Sequence, residues 1–155
     1  YLDEEEETSK VLRKHNDVNI WLHTGDIGCI DEDGFIYFKS RLKRMIVSSG
    51  YNIYPSYIEN IINKHEYVKT STVIGKKDKY RGQIAKAYIV LKKEVKLTDE
   101  VKEEIKNHCK KYIAKYSMPR IFEFKKELPK TLVGKIAYQE LEEETNLKER
   151  KDKHE

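Results

Sequence analysis

The chain has 155 residues, 37% charged and 38% hydrophobic, enough for one modest domain or a small domain plus part of another. Its 31 lysines and arginines outnumber its 27 acids only slightly and are spread along the chain, which argues against a dedicated nucleic-acid binder. No long apolar run reads as a membrane span or signal peptide, and Cys29 and Cys109, far apart and without CxxC spacing, read as free thiols of a reducing cytoplasm.

Taken in chain order, Tyr1 is no initiator methionine, and an acidic run at 3–7 leads into a helical-looking piece around Val11 and Leu12. The chain therefore reads as starting inside a longer protein. Residues 21–30 and 34–38 read as two strands joined by the turn Asp31-Glu32-Asp33-Gly34, since Asp-Gly between apolar runs is a hairpin signal. That turn lacks the spacing and closing Glu of an EF-hand loop. Residues 45–47 and 51–54 flank Ser48-Ser49-Gly50 as a second hairpin, and Pro55 then suits the first turn of a helix. Ile58, Ile61, Ile62 and His65 form one apolar stripe on that helix, with His65 read as a helix-end residue, not a ligand.

Residues 68–75 and 83–91 read as strands; in the second, Ala85, Ala87, Ile89 and Leu91 share one face and Lys86, Tyr88 and Val90 the other. Arg81-Gly82-Gln83 before it reads as a structural turn. A long helix is predicted over 99–116, broken by Pro119, followed by a strand at 121–124 and a last helix over 136–147. Residues 148–155 are almost wholly polar and read as a charged, frayed tail. This order of elements predicts an α+β domain: a three-stranded sheet covered by helices, plus an N-terminal hairpin.

Chemistry concentrates in Pro129-Lys130-Thr131-Leu132-Val133-Gly134-Lys135-Ile136. A lysine held where a turn gives way to a helix can place one compact cation on a reacting phosphate or carboxylate. Read alone, Gly134 is a turn residue and Lys135 a solvated charge. A P-loop does not fit, because Pro129 and Ile136 stand where that motif needs Gly and Ser or Thr.

Four further motifs precede it: Thr24-Gly25-Asp26; Asp31-Glu32-Asp33-Gly34-Phe35-Ile36; Arg41-Leu42-Lys43; and Ser48-Ser49-Gly50-Tyr51-Asn52-Ile53-Tyr54-Pro55 leading into Ile58-Glu59. In this order and spacing, from about Trp21 to Leu141, the five resemble the C-terminal part of the adenylate-forming enzymes, which include acyl-CoA synthetases, peptide-synthetase adenylation domains and luciferases.

The resemblance implies that residues 1–42 are the β-rich end of a large N-terminal domain, otherwise absent, and that 43–147 are the family's mobile C-terminal domain. It implies an acid–thiol ligase in which a carboxylic acid and ATP give an acyl-adenylate, then a thioester with coenzyme A. Lys135 would contact carboxylate and phosphate in the first half-reaction; Asp26 would accept from the ribose hydroxyls, and Arg41 would reach the nucleotide. Ser40 departs from the usual Gly beside that arginine, which predicts a less permissive backbone. Lys43 would be the hinge, and Ser49, Gly50 and Tyr51 would line the channel for the pantetheine thiol. ATP, Mg²⁺ and acid would be gripped mainly by the absent domain, so the isolated chain is expected to be inactive, with no metal site of its own. Partners so implied are its own N-terminal domain, a carboxylic acid and coenzyme A, in the cytoplasm. Two alternatives stay open: an adenylation domain loading a carrier protein, and a small basic interaction module without catalysis. The acid itself cannot be read, because the acyl pocket lies in the absent domain.

Overall fold

The computed structural model describes residues 2–15 and 19–151, in two compact units that part between Lys43 and Arg44. The first unit opens on helix α1 (Glu5–Val11), whose backbone gives way to strand β1 (Leu12–His15). β1 pairs antiparallel with β2 (Asn19–Leu22), and β3 (Asp26–Ile30) pairs antiparallel with β4 (Ile36–Arg41). The single strand predicted over 21–30 is thus two strands. The break falls at Thr24, whose hydroxyl accepts the N–H of Asp26 at 3.1 Å, so each half takes a different partner.

The acidic turn between β3 and β4 is a turn in the structure as well. Asp31 Oδ1 accepts from the N–H groups of Asp33 and Phe35, and Oδ2 accepts from the Tyr37 hydroxyl at 2.8 Å. These donors, the Tyr37 hydroxyl foremost, hold the Asp31 carboxyl below its ordinary range.

The second unit is an α+β layer structure. Hairpin β5 (Ile46–Ser48) and β6 (Tyr51–Ile53) is followed by helix α2 (Pro55–Asn63), with Pro55 at its first turn as predicted. Strands β7 (Val68–Asp78) and β8 (Gly82–Leu91) pair antiparallel, helix α3 (Asp99–Tyr112) crosses over, and β9 (Ile121–Phe124) pairs parallel with β8. β7, β8 and β9 are the predicted three-stranded sheet; the β5–β6 hairpin extends it through the bridge Ser48↔Gly82.

The period-two pattern of β8 has apolar partners on both faces. Ala85, Ala87 and Ile89 join Ile58, Ile62, Ile105 and Cys109 under α2 and α3. Tyr88 and Val90 join Ile74, Leu128 and Leu141 under helix α4 (Tyr138–Lys151). Burial pushes the Cys109 thiol up to about 11, which keeps it protonated and inert.

On the α4 face Lys86 is buried, its ammonium 2.8 Å from Glu123 and 4.5 Å from the Tyr88 ring. Burial pulls its pKa down, but Glu123 and Tyr88 outweigh that and hold it above the ordinary lysine value.

Two helix boundaries differ from expectation. Thr98 caps α3 by accepting the Val101 N–H, but the helix ends at Tyr112, short of the predicted 116, and Pro119 is not its terminator. Ile113 turns extended (φ −105°, ψ 129°) and buries its side chain beside Cys109, so core packing wins over helix continuation. α4 starts at Tyr138, because Ile136 bridges back to Lys130 and Ala137 donates to the Pro129 carbonyl. Its backbone runs through Lys151, so part of the predicted tail is helical; 152–155 lie outside the described residues. His65 falls two residues past α2, its Nδ1 accepting from the Tyr67 N–H, in keeping with a helix-end role.

Candidate active site

In the first unit, the two predicted nucleotide residues stand opposite each other. Asp26 opens β3 and Arg41 closes β4, in direct register, and Arg41 Nε lies 2.9 Å from Asp26 Oδ1. Both side chains remain solvent-facing, so the carboxylate keeps lone pairs for further donors. Ser40 pairs with Ile27 beside the register shift at Ile27/Gly28 and shows no positive φ.

Lys43 sits, exposed, in the 3₁₀ turn Leu42–Arg44 at the boundary of the two units. Its neighbour Arg44 is partly buried and ion-paired. Arg44 Nη2 lies 2.5 Å from Glu59 Oε1 and 3.2 Å from the Val73 carbonyl, and the guanidinium lies 4.8 Å from the centre of the Tyr138 ring. Glu59 on α2 also accepts from the Thr72 hydroxyl and the Val73 N–H. Two opposite charges at 20% and 14% exposure are thus paired and hydrogen-bonded, and join the 3₁₀ turn to α2, β7 and α4. Sequence reasoning assigned neither residue a role. The available signal was a charged residue at 59 beside the apolar stripe of Ile58 and Ile62.

Ser49 and Gly50 form the two-residue tip of the β5–β6 hairpin, at φ +50° and +82°. Two successive left-handed residues make the tight turn that matches strand twist, and glycine meets this without strain. The Ser49 N–H donates to the Arg81 carbonyl, and Gln83 Oε1 accepts from the Val47 N–H, so 81–83 has the structural role expected of it. A Cβ at Gly50 would meet nothing within 4 Å. Tyr51, half-exposed, stacks on Tyr116 with ring centres 5.0 Å apart. Tyr116, expected on the long helix, instead flanks the hairpin tip from the loop after α3.

Lys135 lies on a second tight loop. Gly134 donates to the Thr131 carbonyl, Thr131 to the Lys135 carbonyl, and the Lys135 N–H to Thr131 Oγ1 at 3.2 Å. Gly134, at φ +79°, supplies the left-handed residue such a loop requires. The Lys130↔Ile136 bridge closes the loop just ahead of α4. Leu132 and Val133 at its tip are exposed, and so is Lys135, whose ammonium has no partner among the described residues. A backbone-fixed loop presenting an uncommitted ammonium can meet an incoming anion without first breaking an ion pair.

The structure therefore joins Asp26 with Arg41, and Ser49, Gly50 and Tyr51 in one hairpin, and puts Lys135 on a separate loop. Among the described residues no group of three or more His, Cys, Asp or Glu could hold a metal ion.

Residues 57–135 match the family model described as the AMP-binding enzyme C-terminal domain. The chain is 44% identical over 146 residues to a long-chain-fatty-acid–CoA ligase of Bacillus subtilis (strain 168), covering 94% of this chain and 25% of that protein. It is 41% identical over 143 residues to the human mitochondrial acyl-coenzyme A synthetase ACSM3, covering 91% and 24%. The crystal structure of ATP-bound MatB from Rhodopseudomonas palustris superposes with a TM-score of 0.79 at 29% identity, over 92% of this chain and 27% of that one. The chain thus spans about a quarter of the length of these relatives. With the family model matching just over half its residues, and the α+β unit built around that match, the chain belongs to the AMP-binding enzyme C-terminal domain family.

Proposed function

We propose that the chain works as the mobile C-terminal part of an AMP-forming acyl-CoA synthetase, with residues 1–42 completing its large N-terminal domain. The observation that carries this is the Lys135 loop: a fixed turn with an exposed, unpaired ammonium. The names of the relatives, CoA ligases and acyl-CoA synthetases, support the reaction class.

In the first half-reaction a carboxylate oxygen attacks the α-phosphorus of ATP, and the bond to the departing pyrophosphate breaks. Lys135 offsets the negative charge that gathers there. Asp26, held by Arg41, accepts from the ribose hydroxyls, and Arg41 turns its remaining donors to the nucleotide. Mg²⁺ would ride on the ATP phosphates, held by residues outside this chain.

In the second half-reaction the coenzyme A thiol attacks the acyl carbon and AMP leaves. Rotation about Lys43 would exchange the Lys135 loop for the Ser49-Gly50-Tyr51 tip, whose open face at Gly50 leaves room for a pantetheine arm. A hinge needs few dihedrals, and the 3₁₀ turn between the two units has one exposed lysine for that purpose. No helix among the described residues is long and apolar enough to cross a membrane. We place the enzyme in the cytoplasm, in line with two unpaired cysteines.

Two variants of the full-length enzyme test this reading. Gly50→Leu adds bulk at the tip, and Lys43→Pro fixes φ and removes an N–H at the hinge. Both are expected to spare ATP–pyrophosphate exchange and to slow thioester formation about tenfold or more, one 1.4 kcal/mol step of barrier. Circular dichroism must first show a folded Gly50→Leu, since a side chain at φ +82° is strained. Normal thioester formation by a folded variant would remove the tip from the thiol channel.

A further inference from the structure

Arg44 is the first residue of the second unit, and it reaches α2, β7 and α4 at once. Its guanidinium pairs with Glu59 on α2, donates to the Val73 carbonyl on β7, and lies over the Tyr138 ring on α4, 4.8 Å from its centre. Glu142, one turn further along α4, feels the same charge: burial pushes that carboxyl up, and Arg44 opposes the shift. A counter-ion for Glu59 alone would need none of the contacts to α4.

Tyr138 is where this clamp meets the lysine loop. It opens α4, three residues past Lys135, with no slack between them: Ile136 bridges back to Lys130, and the Ala137 N–H donates to the Pro129 carbonyl. The bonds that shape the loop run from Thr131 to Gly134 and Lys135, so they hold the loop to itself. Its base is held to the unit by Leu128 and Ile136, which pack with Leu141, and by Tyr138. The apolar contacts are non-directional and permit sliding, whereas a planar guanidinium between a carboxylate, a carbonyl and a ring fixes direction.

We infer that Arg44 is a positioning residue for the adenylate-forming step: through Tyr138 it ties the Lys135 loop to the residue where the second unit begins, so that a turn at Lys43 delivers the Lys135 ammonium to one fixed place. This role depends on the hinge and lysine roles proposed above. A displacement of about 1 Å in a reacting group can cost about 10²-fold in rate, so a side chain that touches no substrate can still set it.

The test compares two variants of the full-length enzyme. Tyr138→Leu keeps apolar packing and the Arg44–Glu59 pair but removes the ring face; Tyr138→Phe keeps the ring. The Tyr138 hydroxyl has no hydrogen-bond partner among the described residues, so Tyr138→Phe removes no bond seen there. Tyr138→Leu is expected to lower kcat of ATP–pyrophosphate exchange about 10–100-fold, with KM for ATP changed less than about twofold. Thioester formation from a supplied acyl-adenylate is expected to keep its wild-type rate, and Tyr138→Phe to stay within about threefold of wild type in both steps. In the 155-residue chain, Tyr138→Leu should speed hydrogen exchange at the Thr131 and Ala137 amides about tenfold and leave the β8 amides protected. Should Tyr138→Leu not fold, Arg44→Lys keeps a cation for Glu59 without the planar fork, and is expected to show the same split. Wild-type kcat in a folded Tyr138→Leu, equal loss of both half-reactions, or a Tyr138→Phe as slow as Tyr138→Leu would each overturn the role of Arg44 and leave the proposed function standing. A wild type without acid-dependent exchange would overturn the proposed function itself, and the role of Arg44 with it.

Discussion

Lys135→Ala in the full-length enzyme is expected to lower acyl-adenylate formation about 10²–10³-fold, the usual loss for one preorganised charge contact. Thioester formation from a supplied acyl-adenylate is expected to stay largely intact. The fold gives little reason for any other effect. The Lys135 side chain is exposed and unpaired, and what shapes the loop is backbone and Thr131, which the substitution leaves in place. Lys135→Arg should rescue poorly, because a planar, delocalised fork does not concentrate its charge as a compact ammonium does. The two half-reactions, measured as ATP–pyrophosphate exchange and as thioester release, separate these outcomes. Equal loss of both would point to a folding defect and away from a loop presented in only one domain orientation.

Glu59→Ala is expected to cost about 3 kcal/mol of stability, the low end for breaking a buried ion pair because both partners keep some solvent contact. The substitution strands the Arg44 guanidinium between the Val73 carbonyl and the Tyr138 ring, and leaves the Val73 N–H without its acceptor. Glu59→Gln keeps an acceptor for Val73 and loses the charge, so it should cost about half as much. Urea unfolding of the chain checks both. A Glu59→Ala loss below about 1 kcal/mol would reduce the network to an ordinary surface pair.

Much of the fold was legible because it depends on short-range signals. Pro55 and the Ile58–Ile61–Ile62 stripe marked α2, Ser49-Gly50 marked a tight hairpin, and the alternation from Ala85 to Val90 separated two faces that both proved buried. What failed to show depended on partners distant in sequence. The end of α3 is decided by Ile113 packing into the core, not by Pro119. The run 21–30 divides because β2 and β3 pair with different strands.

The same division holds for the candidate site. The motifs singled out Asp26, Arg41, Lys43, Ser49, Gly50, Tyr51 and Lys135 as residues. Their geometry was hidden: Asp26 meets Arg41 only through the register of β3 and β4, which a bulge at Ile27/Gly28 shifts. The Arg44–Glu59 bridge spans 15 residues and needs β7 to complete it, so no local pattern could announce it.

The proposed function requires that this domain serve an enzyme that joins a carboxylate to AMP. The most direct measurement is ATP–pyrophosphate exchange by the wild-type full-length protein, with and without a series of alkyl carboxylates from short to long chain. The prediction is exchange that is absent without acid and appears with at least one member of the series. No exchange with any of them, or exchange at the same rate without acid, would contradict it.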